Sequence, residues 1–322
     1  MTCSNQHHLL ARRSSHATRL YHQGLADSGY RLNRAPRKQA CRREPQGLLE
    51  REKRGRGRQL ARVSAPQYHE TLLSLLYPGN QTSEKSLCQT VEMVEQLLQM
   101  TERHQRADIF IRFDAGFGSD QNINWLLHRG YQVLSKGKSG KRAAAFARQV
   151  EQWQPLNESK WIALAPLHLC HRYYRRTQTV MLRWYNPKSG RFKHALLICS
   201  LLDRDLIQIN QLYDDRASME NEIKADKAGL LLPRRRKKPL NAQEAFVLLT
   251  DLAHNILAWT RPFWAAQPEI GDIGIYSIVN KIMPIPGKVM CEDDQLVKVR
   301  LQATHPLAKP VLACLSRMLA EF

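Results

Sequence analysis

One run of residues has a spacing with chemical meaning: Tyr213-x2-Arg216-x3-Glu220-x6-Lys227. At about 100° per residue, Arg216, Glu220 and Lys227 fall within about 40° of one another on a helix, and Tyr213 lies just beside them. One carboxylate on a stripe with two cations and an aromatic ring suits phosphoryl chemistry. The carboxylate can hold a metal ion while the cations grip phosphates on either side. The same stripe also fits a plain surface ladder, with Arg216 and Glu220 as an i,i+4 ion pair.

Asp114 is a second acidic candidate. It stands where the apolar run Asp108-Ile-Phe-Ile-Arg-Phe113 meets Ala115-Gly-Phe-Gly118. A carboxylate at a strand end is exposed yet held by rigid backbone, as hard cations require of their oxygen ligands. An Asx turn or a helix cap would explain the same residue without chemistry. Other patterns are weaker. Lys136-Gly-Lys-Ser139 has Gln132 where a phosphate loop needs glycine, which excludes a nucleotide triphosphatase. That loop remains a basic contact for a phosphate backbone. His168-x-Cys170-His171 has no second ligand pair at a suitable distance and reads as ordinary residues. No serine-hydrolase or cysteine-nucleophile motif is present.

The elements that would position these residues follow from periodicity. Residues 59–64 alternate like a strand, and Ser86–Arg103 has helical spacing with Leu87, Val91, Val94, Leu97 and Leu98 on one side. Asp108–Phe113 reads as a buried strand. Ser119 or Asp120 caps a helix that Gly130 ends, and Tyr131–Leu134 is a further strand. Residues 158–203 are β-rich, with a hairpin turn at Asn186–Gly190. A helix is expected from about Asp214 to Leu230. A stronger one runs from Asn241 to Trp259, with Phe246, Leu249, Leu252, Ile256 and Trp259 as its core face. Two strand-like pieces and a final helix from about Leu307 complete the chain. Strand, turn, helix and strand in this order indicate an α/β layer.

Composition sets the class of partner. The chain has 322 residues, 43% of them hydrophobic, and a formal net charge of +20. Such a surplus implies a polyanion, with nucleic acid as the default. Residues 1–60 hold 14 Lys and Arg against 4 Asp and Glu. Two further basic clusters are Lys136, Lys138, Lys141, Arg142 and Arg234–Lys238. Residues 1–46 show no sustained period and read as a basic, disordered segment. No apolar stretch reaches about 18 residues, and the N-terminus has no apolar core of signal-peptide length, so no membrane partner is expected. Seven cysteines without CxxC spacing fit a reducing cytoplasm.

Taken together, the Tyr-Arg-Glu-Lys spacing and the segment Ile111-Arg-Phe-Asp114-Ala-Gly-Phe-Gly-Ser119, followed by Asn124-Trp-Leu-Leu-His-Arg-Gly-Tyr131, resemble insertion-sequence transposases of the DDE class. Gly57–Val63, Tyr77-Pro-Gly-Asn80, Asp226-Lys-Ala-Gly-Leu230, Leu252-Ala-His-Asn255 and Ile285–Val289 also resemble that family. The likeness covers about residues 47–322. It implies an α/β fold: an RNase H-like mixed sheet with flanking helices, interrupted by a β-rich insertion. It implies the parts 47–139 and 206–265 of a catalytic core, an insertion over 140–205 and a C-terminal extension over 266–322, behind the basic segment 1–46.

The resemblance also implies an activity. Three carboxylates hold two divalent ions, magnesium or manganese, for DNA strand cleavage and strand transfer at transposon ends. Asp114 takes the place of the second acid and Glu220 that of the third, both as metal ligands, while Tyr213, Arg216 and Lys227 hold the DNA backbone. The implied partners are double-stranded DNA, as terminal repeats and target, and a second copy in a paired-end complex, in a bacterial-type cytoplasm at the nucleoid. The family's first acid stands upstream of Gly57 on the first strand of the core. The one aspartate there is Asp27, with no apolar strand leading into it, as though 1–46 were out-of-frame or unrelated text. Two other classes stay open: a DNA-binding remnant without catalysis, and an RNase H-like metal nuclease without strand transfer.

Overall fold

Ile111 and Phe113 alternate with Phe110 and Arg112, so one short strand faces two different layers. That strand lies near the middle of a nine-stranded mixed sheet. The computed structural model describes residues 25–31, 58–79, 81–215, 217–233, 239–293 and 295–320, with only the backbone described for 25–31, 217 and 218. The chain divides into two units: one is built on Leu72–Met219 with the strands before Gln67, the other on Tyr68–Thr71 and Glu220–Phe322.

The strands of the sheet are β1 (Leu25–Arg31), β2 (Arg58–Ala65), β3 (Glu70–Pro78), β4 (Phe110–Phe113), β5 (Gln132–Lys136), β6 (Gln154–Asn157), β7 (Lys160–Leu164), β8 (Gln178–Asn186) and β9 (Arg191–Cys199). Their order is β3-β2-β1-β4-β5-β9-β8-β7-β6. β1 runs antiparallel to β2 and parallel to β4, and β4 runs parallel to β5. This is the mixed sheet of an RNase H-like fold. The β-rich stretch between Asp114 and Glu220 forms β6–β9, which extend the same sheet: β9 pairs antiparallel with β5, Leu134 opposite Cys199.

Helices α1 (Ser83–Leu97), α3 (Asp120–Arg129) and α4 (Gly140–Ala147) cover one face, and α2 (Arg103–Ala107) is a short turn between α1 and β4. Leu87, Val91, Ile123, Leu126 and Phe146 meet Val63, Ile111, Phe113 and Ile198 there. On the other face, Ile209 and Tyr213 of α5 (Leu206–Asp214) pack on Leu134, Ile162, Val180, Leu182 and Leu197. Glu95, buried on α1, ties this layer together. It accepts from Tyr131 Oη at 2.8 Å, from Arg129, and pairs with Arg106 Nε at 2.9 Å.

The sequence gives no strand at Asp27, yet the structure places it within β1. Only Leu25, Ala26 and Tyr30 are apolar in this strand, so no alternation marks it. It pairs on both sides, Asp27 opposite Val63 and Ala26 opposite Arg112, and a slot in a sheet can select a strand by backbone pairing alone. The remainder of 1–46 lies outside the described residues.

In the second unit, α6 (Ala217–Gly229), α7 (Leu240–Ala265), α8 (Ile275–Ser277, continued by a π-helical turn to Ile282), the hairpin β10 (Gly287–Glu292) and β11 (Gln295–Leu301), and α9 (Ala308–Ala320) follow in order. Leu257, Trp264, Ile275, Ile278, Val311 and Cys314 form its core. Gly229 permits the end of α6 to approach α8: a Cβ there would lie 3.2 Å from Tyr276 Cα. The face expected to be the core side of α7 is not. Leu249, Leu252, Ile256 and Trp259 are exposed, and the helix instead buries Val247, Thr250, Asp251, His254, Leu257 and Ala258. The period was legible but the phase was set by polar residues that bind inside. No helix among the described residues is long and apolar enough to cross a membrane.

Candidate active site

Asp114 directly follows the last residue of β4, and its turn is rigid for identifiable reasons. Its Oδ1 accepts the Gly116 N–H at 2.8 Å, and its carbonyl accepts the Phe117 N–H at 3.2 Å. Phe117 is fully buried and anchors the turn in the core. Asn122 of α3 donates to the Phe117 carbonyl at 3.0 Å and to that of Glu84 at 2.9 Å, and Ser119 caps α3. Gly118 must be glycine, because a Cβ there would sit 2.0 Å from the Lys136 carbonyl oxygen. The Asx turn is present and leaves the chemical reading open: one oxygen fixes the carboxylate, and Oδ2 has no hydrogen bond among the described residues.

The helix expected from about Asp214 to Leu230 is α6, and α5 ends just before it, at Asp214. Tyr213 thus belongs to α5, buried against β8 and β9, while Glu220 and Lys227 belong to α6. Of the described residues of the run, Tyr213 stands on one helix, and Glu220 and Lys227 share another. Seven residues separate them, so they face the same way about 10 Å apart, too far to pair with each other. Glu220 lies in the first turn of α6 and Lys227 in its last, the favourable ends for their charges. Arg216 and Arg234–Lys238 lie outside the described residues. Asp114 and Tyr213 belong to the first unit, Glu220 and Lys227 to the second. Arg112, two residues before Asp114, reaches the carbonyl of Leu212 at 2.6 Å and so ties β4 to the end of α5 beside Tyr213.

Behind Glu220, α6 is held by a buried polar network that the spacing argument missed. His254 of α7 places Nδ1 2.7 Å from Asp226 Oδ1 and Nε2 2.8 Å from the His69 carbonyl. His69 has φ 55, a left-handed conformation disfavoured for a residue with a Cβ, and its own ring meets Glu222 of α6 at 2.7 Å. Asn255 accepts from the Thr71 N–H and donates to its carbonyl, both at 2.8 Å. Asp226, His254 and Asn255 stand in the two short segments quoted above as family-like, and that likeness was their one signal in the sequence.

The basic cluster after β5 is largely neutralised. Lys138 pairs with Glu84, and Arg142 grips both oxygens of Asp120, to which Tyr173 also donates. Burial pushes the Asp120 carboxyl up, but Arg142 and Tyr173 outweigh it and hold it below its ordinary value. His168, set aside as a ligand, meets Gln149 at 3.0 Å. A different cationic surface lies on β7–β9. From Ser159 to Leu202 the chain has no Asp or Glu but eight Lys and Arg. Within it, Arg183 lies over Trp153, Phe192 and Trp161, at 4.5, 5.0 and 5.1 Å from their centroids, with no carboxylate partner among the described residues. The end of the β8–β9 hairpin beyond it is exposed, carrying Tyr185, Lys188, Arg191, Phe192 and Lys193.

Among the described residues no three His, Cys, Asp or Glu side chains stand together as a preformed metal cluster. By donor type Asp114 and Glu220 each suit a hard divalent ion, and the turn fixes one oxygen of Asp114.

Among solved structures, piggyBac transposase in a synaptic complex with hairpin DNA matches 79% of this chain at 12% identity, with a TM-score of 0.46. The match covers 47% of that protein, so the chain spans about half its length. No curated protein matches the chain. Residues 66–321 match the family described as transposase DDE domain group 1. That match takes in β3 to β9, Asp114 and its clamped turn, and both helices of the Tyr-Arg-Glu-Lys run, and on it the chain belongs to the transposase DDE domain family.

Proposed function

We propose that the chain is the catalytic region of an insertion-sequence transposase, which cuts and joins DNA strands at transposon ends. The observation that carries this reading is Asp114: a carboxylate locked by Gly116 and Phe117 at the end of a central parallel strand, in a chain of the DDE family. Asp114 and Glu220 would hold the divalent ions, magnesium or manganese. Such a pair supplies activation of a water or 3′-hydroxyl and stabilises the leaving oxygen. Lys227 holds a backbone phosphate two helical turns from Glu220, and Tyr213 and Arg216 flank the same strand. Arg183 and the exposed hairpin end of β8–β9 add a positive surface for the duplex. The partners are terminal-repeat and target DNA at the nucleoid, with the chain acting as a homodimer. Asp27 is the carboxylate that β1 offers as the third ligand: the residue before it lies opposite Arg112, two positions before Asp114.

One observation favours a second reading. The family match begins at residue 66, so β1 lies outside it. A chain lacking the first acid would bind DNA ends without cutting them.

Cleavage of a labelled duplex bearing the element's end, with magnesium or manganese, separates the readings. Asp114→Asn, Glu220→Gln and Asp27→Asn serve as controls. Cutting by the wild type that all three variants abolish supports a three-acid transposase. Binding with steep salt dependence and no cutting supports the second reading. Cutting without end preference would make the chain a nuclease and sink both.

A further inference from the structure

The long helix α7 presents an apolar stripe that no described residue of its own unit covers. Leu248, Leu249, Leu252 and Ile256 are 51%, 64%, 53% and 46% exposed. Ala245, Leu249, Leu252, Ile256, Trp259 and Phe263 repeat at alternating intervals of four and three residues, which is the seam spacing of a coiled coil. The opposite side of the helix is occupied by the buried His254, Asp251 and Leu257. An apolar stripe of this length on a water-facing helix marks an interaction surface.

We infer that this stripe docks the same stripe of a second copy of the chain, across a two-fold axis near Leu252. Three features favour a second copy. The seam spacing fits another helix rather than an irregular surface, and in a two-fold pair each copy presents the identical stripe. The exposed part of the stripe carries no charge: between Ala245 and Thr260 the one carboxylate is Asp251, which is buried. Two chains of net charge +20 can therefore approach here without setting like charges face to face. The exposed side chains amount to about 500 Å² per copy, or about 1,000 Å² for the pair, the lower bound for a specific interface. The inference deepens the homodimer given above, and its test uses neither DNA nor metal, so it can fail independently of the catalytic reading.

The test is sedimentation equilibrium of the full nuclease-treated chain over a range of salt. Leu249→Glu and Leu252→Glu are compared with Leu167→Glu, which alters an apolar side chain 88% exposed in the other unit. The expected result is a dimer whose dissociation constant rises at least tenfold in each α7 variant and stays unchanged in the control. Unchanged thermal melts would show that the variants still fold. Added salt tightens the dimer, because screening relieves the repulsion between two cationic chains. A wild-type chain that stays monomeric at 100 µM overturns the inference. So does an association that salt dissolves, which would be bridging by nucleic acid, or one that Leu167→Glu weakens as much as the α7 variants do.

Discussion

His254 and Asp226 form a buried pair, 1% and 0% exposed, whose ring nitrogen and carboxylate oxygen lie 2.7 Å apart. A backbone carbonyl can only accept, so Nε2 carries the proton it gives to His69. The pair joins the helix that bears Glu220 and Lys227 to the long helix α7.

Breaking that pair should be costly. His254→Ala or Asp226→Asn takes one partner from a buried hydrogen-bonded pair, at about 3–5 kcal/mol. Urea unfolding of the single variants and of His254→Ala/Asp226→Ala should show strong coupling, the double variant losing less than the sum. Additive losses would show that the two residues act separately.

Glu95 should be as sensitive in the other unit. Glu95→Leu leaves Arg129, Arg106 and Tyr131 without their shared acceptor. A loss of about 3 kcal/mol or more is expected from denaturant midpoints. A shift within about 0.5 kcal/mol, ordinary for surface changes, would contradict the assignment.

Gly118→Ala should disrupt the turn that carries Asp114, because the new methyl meets the Lys136 carbonyl. Gly140 offers a matched control: nothing lies within 4 Å of a Cβ there. Strand cleavage, or end binding if the chain does not cut, should fall in the first variant and persist in the second, with melting temperature lowered only in the first.

Asp120 should make stability acid-sensitive. Its folded carboxyl lies below the ordinary value, so its contribution is complete above the unfolded pKa of about 3.9 and is lost as pH falls through the folded value. The melting-temperature gap between wild type and Asp120→Asn should be widest near neutrality and close below about pH 4. A gap constant with pH would assign the effect to packing.

Arg183→Gln should weaken duplex binding about evenly across sequences and reduce the salt slope by about one. Measuring affinity against log salt checks this. An unchanged slope would make the aromatic enclosure of Arg183 purely structural.

The parts of this fold that were legible in sequence are those set by local rules. Ser119 caps α3, Gly130 ends it at φ 110, and the hairpin turn stands at Asn186–Gly190. What escaped depends on distant partners. β1 has too few apolar residues to announce itself, and its neighbours in the sheet define it. The buried side of α7 follows His254 and Asp251 rather than its leucines. Tyr213 stands on α5, which ends at Asp214, so a count of degrees along one helix could not foresee its place. The strand-end position of Asp114 was legible because an apolar run and a glycine turn adjoin in sequence.

The placement of β1 also governs when the protein becomes whole. Leu25 lies opposite Ile111, eighty-six residues later, with β2 and β3 made in between. Closing so long a loop is entropically expensive and slow. On the ribosome the first strand must therefore wait, unpaired on its β4 side, until Phe110–Phe113 has emerged.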